Sequence, residues 1–213
     1  MSIIKPILFN TEMVLATLEN RKTQTRRLVS PTPPADARLV MSPDPDNRYA
    51  WDESRELPDL GPHDRRIYYP RYYPGDILYV RETWGDYREC QDDGEGHYYL
   101  YRADYPNGAT TYQYPGGPVC DLPKWHPSIH MPKEAARIFL RVTDVRVERL
   151  QDIDGAGIKA EGTSGRFGAT RGAFMYLWDS TVKKTERYKY SYRHNPWVWV
   201  YSFEHCEKPE EWK

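Results

Sequence analysis

Apolar positions in this chain come in short bursts, separated by long polar stretches crowded with proline. Ile3 to Phe9 reads as a short strand. Asn10 or Thr11 then caps a helix running to about Asn20, with Met13, Val14, Ala16 and Leu18 on its inner face. Arg21 to Val29 follows, and its threonines and closing Leu28-Val29 favour an extended segment. Between Ser30 and Pro74 the periodicity is lost. Pro31, Pro33, Pro34, Pro43, Pro45 and Pro58 argue against regular ladders, so this stretch is expected to be an inserted loop or an ordered flap. A linker is disfavoured, because Tyr68, Tyr69, Tyr72 and Tyr73 need something to cover.

Order returns at the turn Pro74-Gly75-Asp76, which leads into a strand from Ile77 to Trp84. Tyr98 to Tyr105 reads as another strand, and Pro106 to Pro132 as a second long loop. Ile138, Leu140, Val142, Val145 and Val147 alternate with polar residues along a long strand, or bent strand pair, from Ala136 to Leu150. Asp152 to Glu161 predicts a short helix stopped by Gly162, and Gly172 to Thr181 a second, with Phe174, Leu177 and Trp178 facing inward. The apolar run Trp197 to Phe203 has the look of a central strand covered on both faces. The expected architecture is one α+β domain over residues 1–213. It is a small, partly open β-barrel with two or three short helices and insertions at about 30–74 and 106–132.

Composition narrows the functional classes. No window approaches the roughly 18 apolar residues of a spanning helix, and the start carries no recognisable signal peptide, so a cytoplasmic protein without a membrane partner is expected. Thirty Lys and Arg against 31 Asp and Glu leave a net charge of −1, so any nucleic-acid binding must use a local basic patch. Cys90, Cys120 and Cys206 are far apart and form no C-x-x-C pair, which argues for a reducing compartment and against a structural zinc site. Eighteen tyrosines beside so much charge suggest wet, half-buried aromatic surfaces; the alternative is simple packing under long loops.

The densest candidate chemistry lies between Arg21 and Arg27, seven residues with four cations and no acid. It reads either as a solvated basic turn at a helix C-terminus or as a site where arginine forks hold phosphate, Lys22 supplies a movable charge and threonine hydroxyls bond or attack. Asn20-Arg21-Lys22-Thr23-Gln24-Thr25-Arg26-Arg27 after a capped helix resembles the signature of the ASCH domain family, a branch of the PUA-like barrels. Pro74-Gly75-Asp76 leading to Val80-Arg81-Glu82-Thr83-Trp84 resembles it too, as do Leu150-Gln151-Asp152-Ile153 running to Glu161-Gly162 and the strand from Asn195 to Phe203. The long loops, including Trp125 to Pro132, are similar to those of phage- and prophage-type members.

This resemblance implies a pocket that handles a nucleoside, RNA or other single-stranded nucleic acid. Compact members are amidohydrolases that deacetylate N4-acetylcytidine with a Lys, a Thr and a Glu. Those positions match Lys22, Thr25 and Glu161, needing no metal or other cofactor. Other relatives are RNA binders or ribonucleases. Amide hydrolysis needs a nucleophile, a proton acceptor and a group to steady the oxyanion. Arg21, Arg26, Arg27 and burial would lower the pKa of Lys22 and make it a base, whereas Glu161 alongside would keep it charged, able to polarise the acetyl carbonyl. Strand alternation puts Lys22 and Thr25 on opposite faces, so they converge only if Lys22 still lies on the turn leaving the helix. Glu161, at a helix C-terminus where the dipole disfavours negative charge, suits acid/base work; otherwise it is an ordinary surface residue.

Around that core, Arg21, Arg26, Arg27, Glu82, Trp84, Trp125 and His130 are candidates for binding. Glu82 would pair with Arg26 or Arg27, as a structural bond or as a base-edge reader. Trp84 and Trp125 would stack on a base or pack in the core. His126 and His130 have the spacing of helical metal ligands, but Pro127 and Pro132 disfavour a helix, and no metal is assigned. His130 can instead donate to a phosphate at the pocket rim. Lys183, Lys184, Arg187, Lys189 and Arg193, interleaved with Tyr188, Tyr190 and Tyr192, form either a single-strand contact or a solvated loop. Three functions follow: a hydrolase acting on an acylated cytidine, a non-catalytic nucleic-acid module, and a ribonuclease using the same basic pocket.

Overall fold

The computed structural model describes residues 3–34, 36–42, 49–52, 66–87, 98–105, 108–113, 119–163 and 168–212. Its first elements are β1 (Ile4–Leu8), α1 (Thr11–Leu18), β2 (Gln24–Leu28), β3 (Leu39–Met41), β4 (Ala50–Asp52), β5 (Ile67–Tyr68) and β6 (Ile77–Arg81). Next come β7 (Trp84–Tyr87), β8 (Tyr98–Tyr101), β9 (Thr111–Gln113), β10 (Val119–Asp121) and β11 (Phe139–Arg149). The chain ends with α2 (Gly155–Ala160), α3 (Arg171–Thr181), α4 (Arg187–Tyr190) and β12 (Trp197–Cys206).

Five strands form the central sheet in the order β1-β6-β11-β12-β2. β1 runs parallel to β6, and the other neighbours are antiparallel. The run Trp197 to Phe203 does lie inside the sheet, between β11 and β2, and its alternation builds two layers at once. Trp199, Tyr201 and Phe203 pack with Ile7, Phe9, Val14 and Val80. Val198 and Val200 pack on the other face with Ile158, Phe174 and Trp178 from α2 and α3. Each large apolar side chain buried this way is worth about 1.5–3 kcal/mol, so β12 anchors both layers. A register shift between Val142 and Asp144 bends β11 and lets Val142 and Val145 both face the first layer.

The fold is therefore mixed α+β on a five-stranded sheet, and among the described residues β1 and β2 do not pair to close it. A side chain spans that gap: Arg27 Nη2 donates to the Leu8 carbonyl at 3.0 Å.

Several expectations change in detail. α1 ends at Leu18, and Leu18 is 43% exposed, because the chain turns away before another helical turn can bury it. The strand expected over Ile77–Trp84 breaks at Glu82; β7 opens a separate hairpin with β8. Tyr98–Tyr105 is a strand only to Tyr101, after which Arg102–Asp104 forms a 3-10 turn. The insertions carry ladders after all, β3-β4-β5 in the first and β9-β10 in the second. None of those short strands contains a proline, so the ladder bonds are spared. Cys120 is disulfide-bonded and Cys206 is free, so wide spacing along the chain did not keep Cys120 unpaired. Pro43, Pro45, Pro58, Cys90 and Pro106 lie outside the described residues. Among the described residues no helix is long and apolar enough to cross a membrane.

Candidate functional site

Asn10 caps α1 by accepting from Met13 N at 2.8 Å. At its other end Asn20 takes a left-handed conformation (φ 56°), and Arg21 N and Lys22 N both donate to Ala16 O at 2.8 and 2.9 Å. Lys22 consequently lies on the turn before β2. It forms an isolated bridge with Glu161, the residue that caps α2, and Thr23 N donates to Ala160 O at 2.8 Å. Asp154 caps the start of α2, and Gly162 (φ 77°) turns the chain at its end. A Cβ on Gly162 would stand 2.7 Å from Ala16 Cβ and 2.8 Å from Lys22 Cβ, so only glycine admits this close approach.

Lys22 Nζ sits 2.7 Å from Glu161 Oε2, 2.9 Å from Gln24 O and 3.0 Å from Glu161 O. Three acceptors for three ammonium hydrogens leave none to spare. Burial pushes the Lys22 amine below its usual range; the Glu161 carboxylate and its hydrogen bond oppose that, while Arg27 and Arg26 add to it. The second Glu161 oxygen accepts from Arg26 Nη1 at 3.1 Å, and Arg26 Nε reaches Glu148 Oε1 at 2.8 Å. Glu148 Oε2 in turn accepts from Arg146 Nε at 3.2 Å, so charges alternate from Lys22 through Glu161, Arg26 and Glu148 to Arg146. Such a chain satisfies its members and holds α2 against the sheet. Thr25 is buried in β2 opposite Tyr201, and among the described residues no hydrogen bond or ion pair joins it to Lys22 or Glu161.

Arg27 points to the other face of β2 from Arg26. It lines a cleft of about 720 Å³ over the β1/β2 gap, together with Leu8, Arg71, Arg81, Ile129 and a set of aromatic rings. Tyr72, Trp199 and Tyr201 form the aromatic floor, and Tyr69, 57% exposed, stands at the edge. The first insertion is pinned there: Tyr72 packs edge-on against Tyr201 at 5.0 Å and donates to Pro6 O at 2.7 Å. Among the described residues no carboxylate lines the cleft, and none of Arg27, Arg71 and Arg81 makes an ion pair. Arg81 donates one bond, Nη2 to Ile129 O at 2.6 Å, while its buried Nε has no partner. Burial pulls the Arg27 guanidinium downward; Tyr72, Glu161 and Tyr201 oppose that, and the neighbouring Arg71 charge adds to it. Like charges gathered with no acid beside them among the described residues repel one another, and an anion between them would relieve that repulsion.

The other candidates lie elsewhere. Glu82 is buried and pairs bidentately with Arg137 at 2.9 and 3.0 Å, not with Arg26 or Arg27; a different strand, β11, stands beside it. Burial raises the Glu82 carboxyl and Arg137 lowers it. Trp84 packs edge-on with Tyr99 and bridges His126, and Trp125 packs against Tyr105 under Arg102, so both tryptophans serve packing. His130 is exposed on a 3-10 turn, Ser128–His130, and Arg21 sits at the surface with Glu19 and Gly162 O. Arg187, Tyr188, Lys189 and Arg193 are exposed around α4, whereas Tyr190 is half-buried and Tyr192 is buried in the second core layer. Among the described residues no group of three or more His, Cys, Asp or Glu is arranged to hold a metal. Glu161 also borders a smaller hollow of about 350 Å³ between α1 and α3.

Sequence reasoning singled out Arg27 but missed Arg71 and Arg81. Their signals were faint: an arginine inside the tyrosine-rich run from Tyr68 to Tyr73, and one at the exit of β6. No protein-family model, curated protein or solved structure matches the chain.

Proposed function

We propose that this protein is a nucleic-acid-binding module of the ASCH, PUA-like type. It grips the sugar-phosphate of a single-stranded RNA in the cleft over the β1/β2 gap. The carrying observation is that Arg27, Arg71 and Arg81 line one cleft of about 720 Å³ with aromatic walls and, among the described residues, no acid. Arginine forks match phosphate oxygens, and an exposed ring such as Tyr69 offers a base a face to stack on. Fluorescence anisotropy with a short labelled single-stranded RNA tests the reading. Wild-type protein should bind, and Arg71→Gln should weaken binding several-fold while leaving the circular dichroism unchanged. Absence of binding, or binding indifferent to Arg71→Gln and Arg27→Gln, would overturn it.

A second reading, amide hydrolysis of the N4-acetylcytidine type, has one observation in its favour. Lys22 and Glu161 meet at 2.7 Å although 139 positions separate them. Two features weigh against it: the Lys22 hydrogens are all engaged, and Thr25 is not joined to the pair. Incubation with N4-acetylcytidine, free and within RNA, separates the readings. Deacetylation lost in Lys22→Ala supports the hydrolase, and RNA shortening lost in the same variant supports a ribonuclease. No turnover leaves the Lys22–Glu161 pair as a structural lock.

A further inference from the structure

We infer that the arginine cleft is built for a terminal phosphomonoester of a nucleotide, in preference to the internal phosphodiesters of a strand. This rests on the binding role proposed above and specifies its ligand. An internal phosphodiester carries one negative charge, whereas a phosphomonoester carries about −1.5 to −2 at neutral pH and three strong acceptor oxygens. Three guanidiniums with no acid beside them among the described residues match the second ligand better than the first.

Their arrangement is convergent. Leu8 is the pivot: Arg27 Nη2 donates to its carbonyl at 3.0 Å, and Arg81 is its register partner on β6. Arg71 lies over the Tyr72 ring at 5.6 Å, and Tyr72 lines the same cleft as Arg27. Cations that track a strand are spaced along a groove. Here all three line one cleft beside the β1/β2 gap.

The donors are also largely uncommitted. Arg27 and Arg81 each spend a single hydrogen bond on a backbone carbonyl, and the Arg71 side chain spends none among the described residues. The buried Arg81 Nε lacks an acceptor among the described residues, and the guanidinium otherwise spends only its Nη2 bond to Ile129 O. Tyr69, exposed at the same cleft, is placed to carry the attached base. The phosphomonoester can come from the end of an oligonucleotide or from a free nucleotide.

The test compares one short single-stranded RNA carrying a phosphate at its 5′ end, at its 3′ end, or at neither, with CMP as competitor, against the full chain. A terminally phosphorylated form should bind about tenfold tighter than the hydroxyl-ended form, a difference of about 1.4 kcal/mol. Arg81→Gln should abolish that preference while the thermal midpoint stays near that of wild type; Arg71→Gln should do the same from the rim. Displacement by CMP would identify a free nucleotide as sufficient, and displacement only by the phosphorylated RNA would identify a strand end; either supports the inference. Equal affinity for all three RNAs would overturn it and leave RNA binding standing. No binding to any probe would overturn both.

Discussion

Glu161 holds two cations at once, Lys22 on one oxygen and Arg26 on the other. Removing one member of such a buried group strands the rest, which typically costs about 3–5 kcal/mol. Glu161→Gln should therefore destabilise the protein by about that much in urea unfolding. Lys22→Met should cost less, because Glu161 keeps Arg26. Near-wild-type stability of Glu161→Gln would show that the chain of charges does not hold α2. Tyrosines set the alkaline limit. Burial raises the Tyr101 phenol from 10.0 to about 12, and pushes Tyr72 and Tyr201 upward as well. A raised phenol keeps its proton longer folded than unfolded, so its contribution is intact below pH 10 and is lost as pH rises toward 12. Lys22 acts in the opposite sense, since its folded pKa lies below 10.5, but the raised phenols, Tyr73 among them, outnumber it. Phenolate absorbance and circular dichroism should change together in an alkaline titration. Full phenolate formation with native dichroism would contradict the burial.

At the scale of elements, the α2 terminus, the α1 exit and the start of β2 meet at Gly162. Its positive φ disfavours any side chain, and the added Cβ would press on Ala16 and on Lys22. Gly162→Ala should cost about 2 kcal/mol or more in thermal or urea unfolding, combining left-handed strain with the forced separation of the two segments. A negligible loss would mean that the α1–α2 contact adjusts freely. The first insertion belongs to the same level of argument. Its short sheet and the Tyr72–Tyr201 contact bring Arg71 to the cleft, so it builds a wall of the candidate site.

Across the whole molecule the charge is −1, yet one cleft gathers three arginines with no acid among the described residues. The basic patch is thus local, and binding to it should respond to salt in proportion to the few phosphates it neutralises. For up to three contacts on a single strand, log affinity should fall against log salt with a slope of about −2. Anisotropy titrations across ionic strength read this directly. A slope near zero would remove phosphate from the interface, and a much steeper one would bring in the exposed basic stretch around α4.

Linear pattern alone marked α1 with a cap at Asn10 or Thr11, the central run of β12, the β11 alternation and the two helices after it. Their signals are local in sequence: capping chemistry and apolar periodicity. Lys22 and Glu161 were legible as candidates, but their separation in sequence hid the contact, and the partner of Glu82 was misjudged for the same reason. Strand breaks at Glu82 and short ladders within proline-rich insertions depend on which segment lies alongside, and a linear pattern carries little of that. The cleft is the clearest case. Arg27, Arg71 and Arg81 come from β2, the first insertion and β6, and each alone is an ordinary arginine. Only long-range packing, with β1 and β2 not paired among the described residues and Tyr72 seated on Tyr201, brings these three like charges to one cleft.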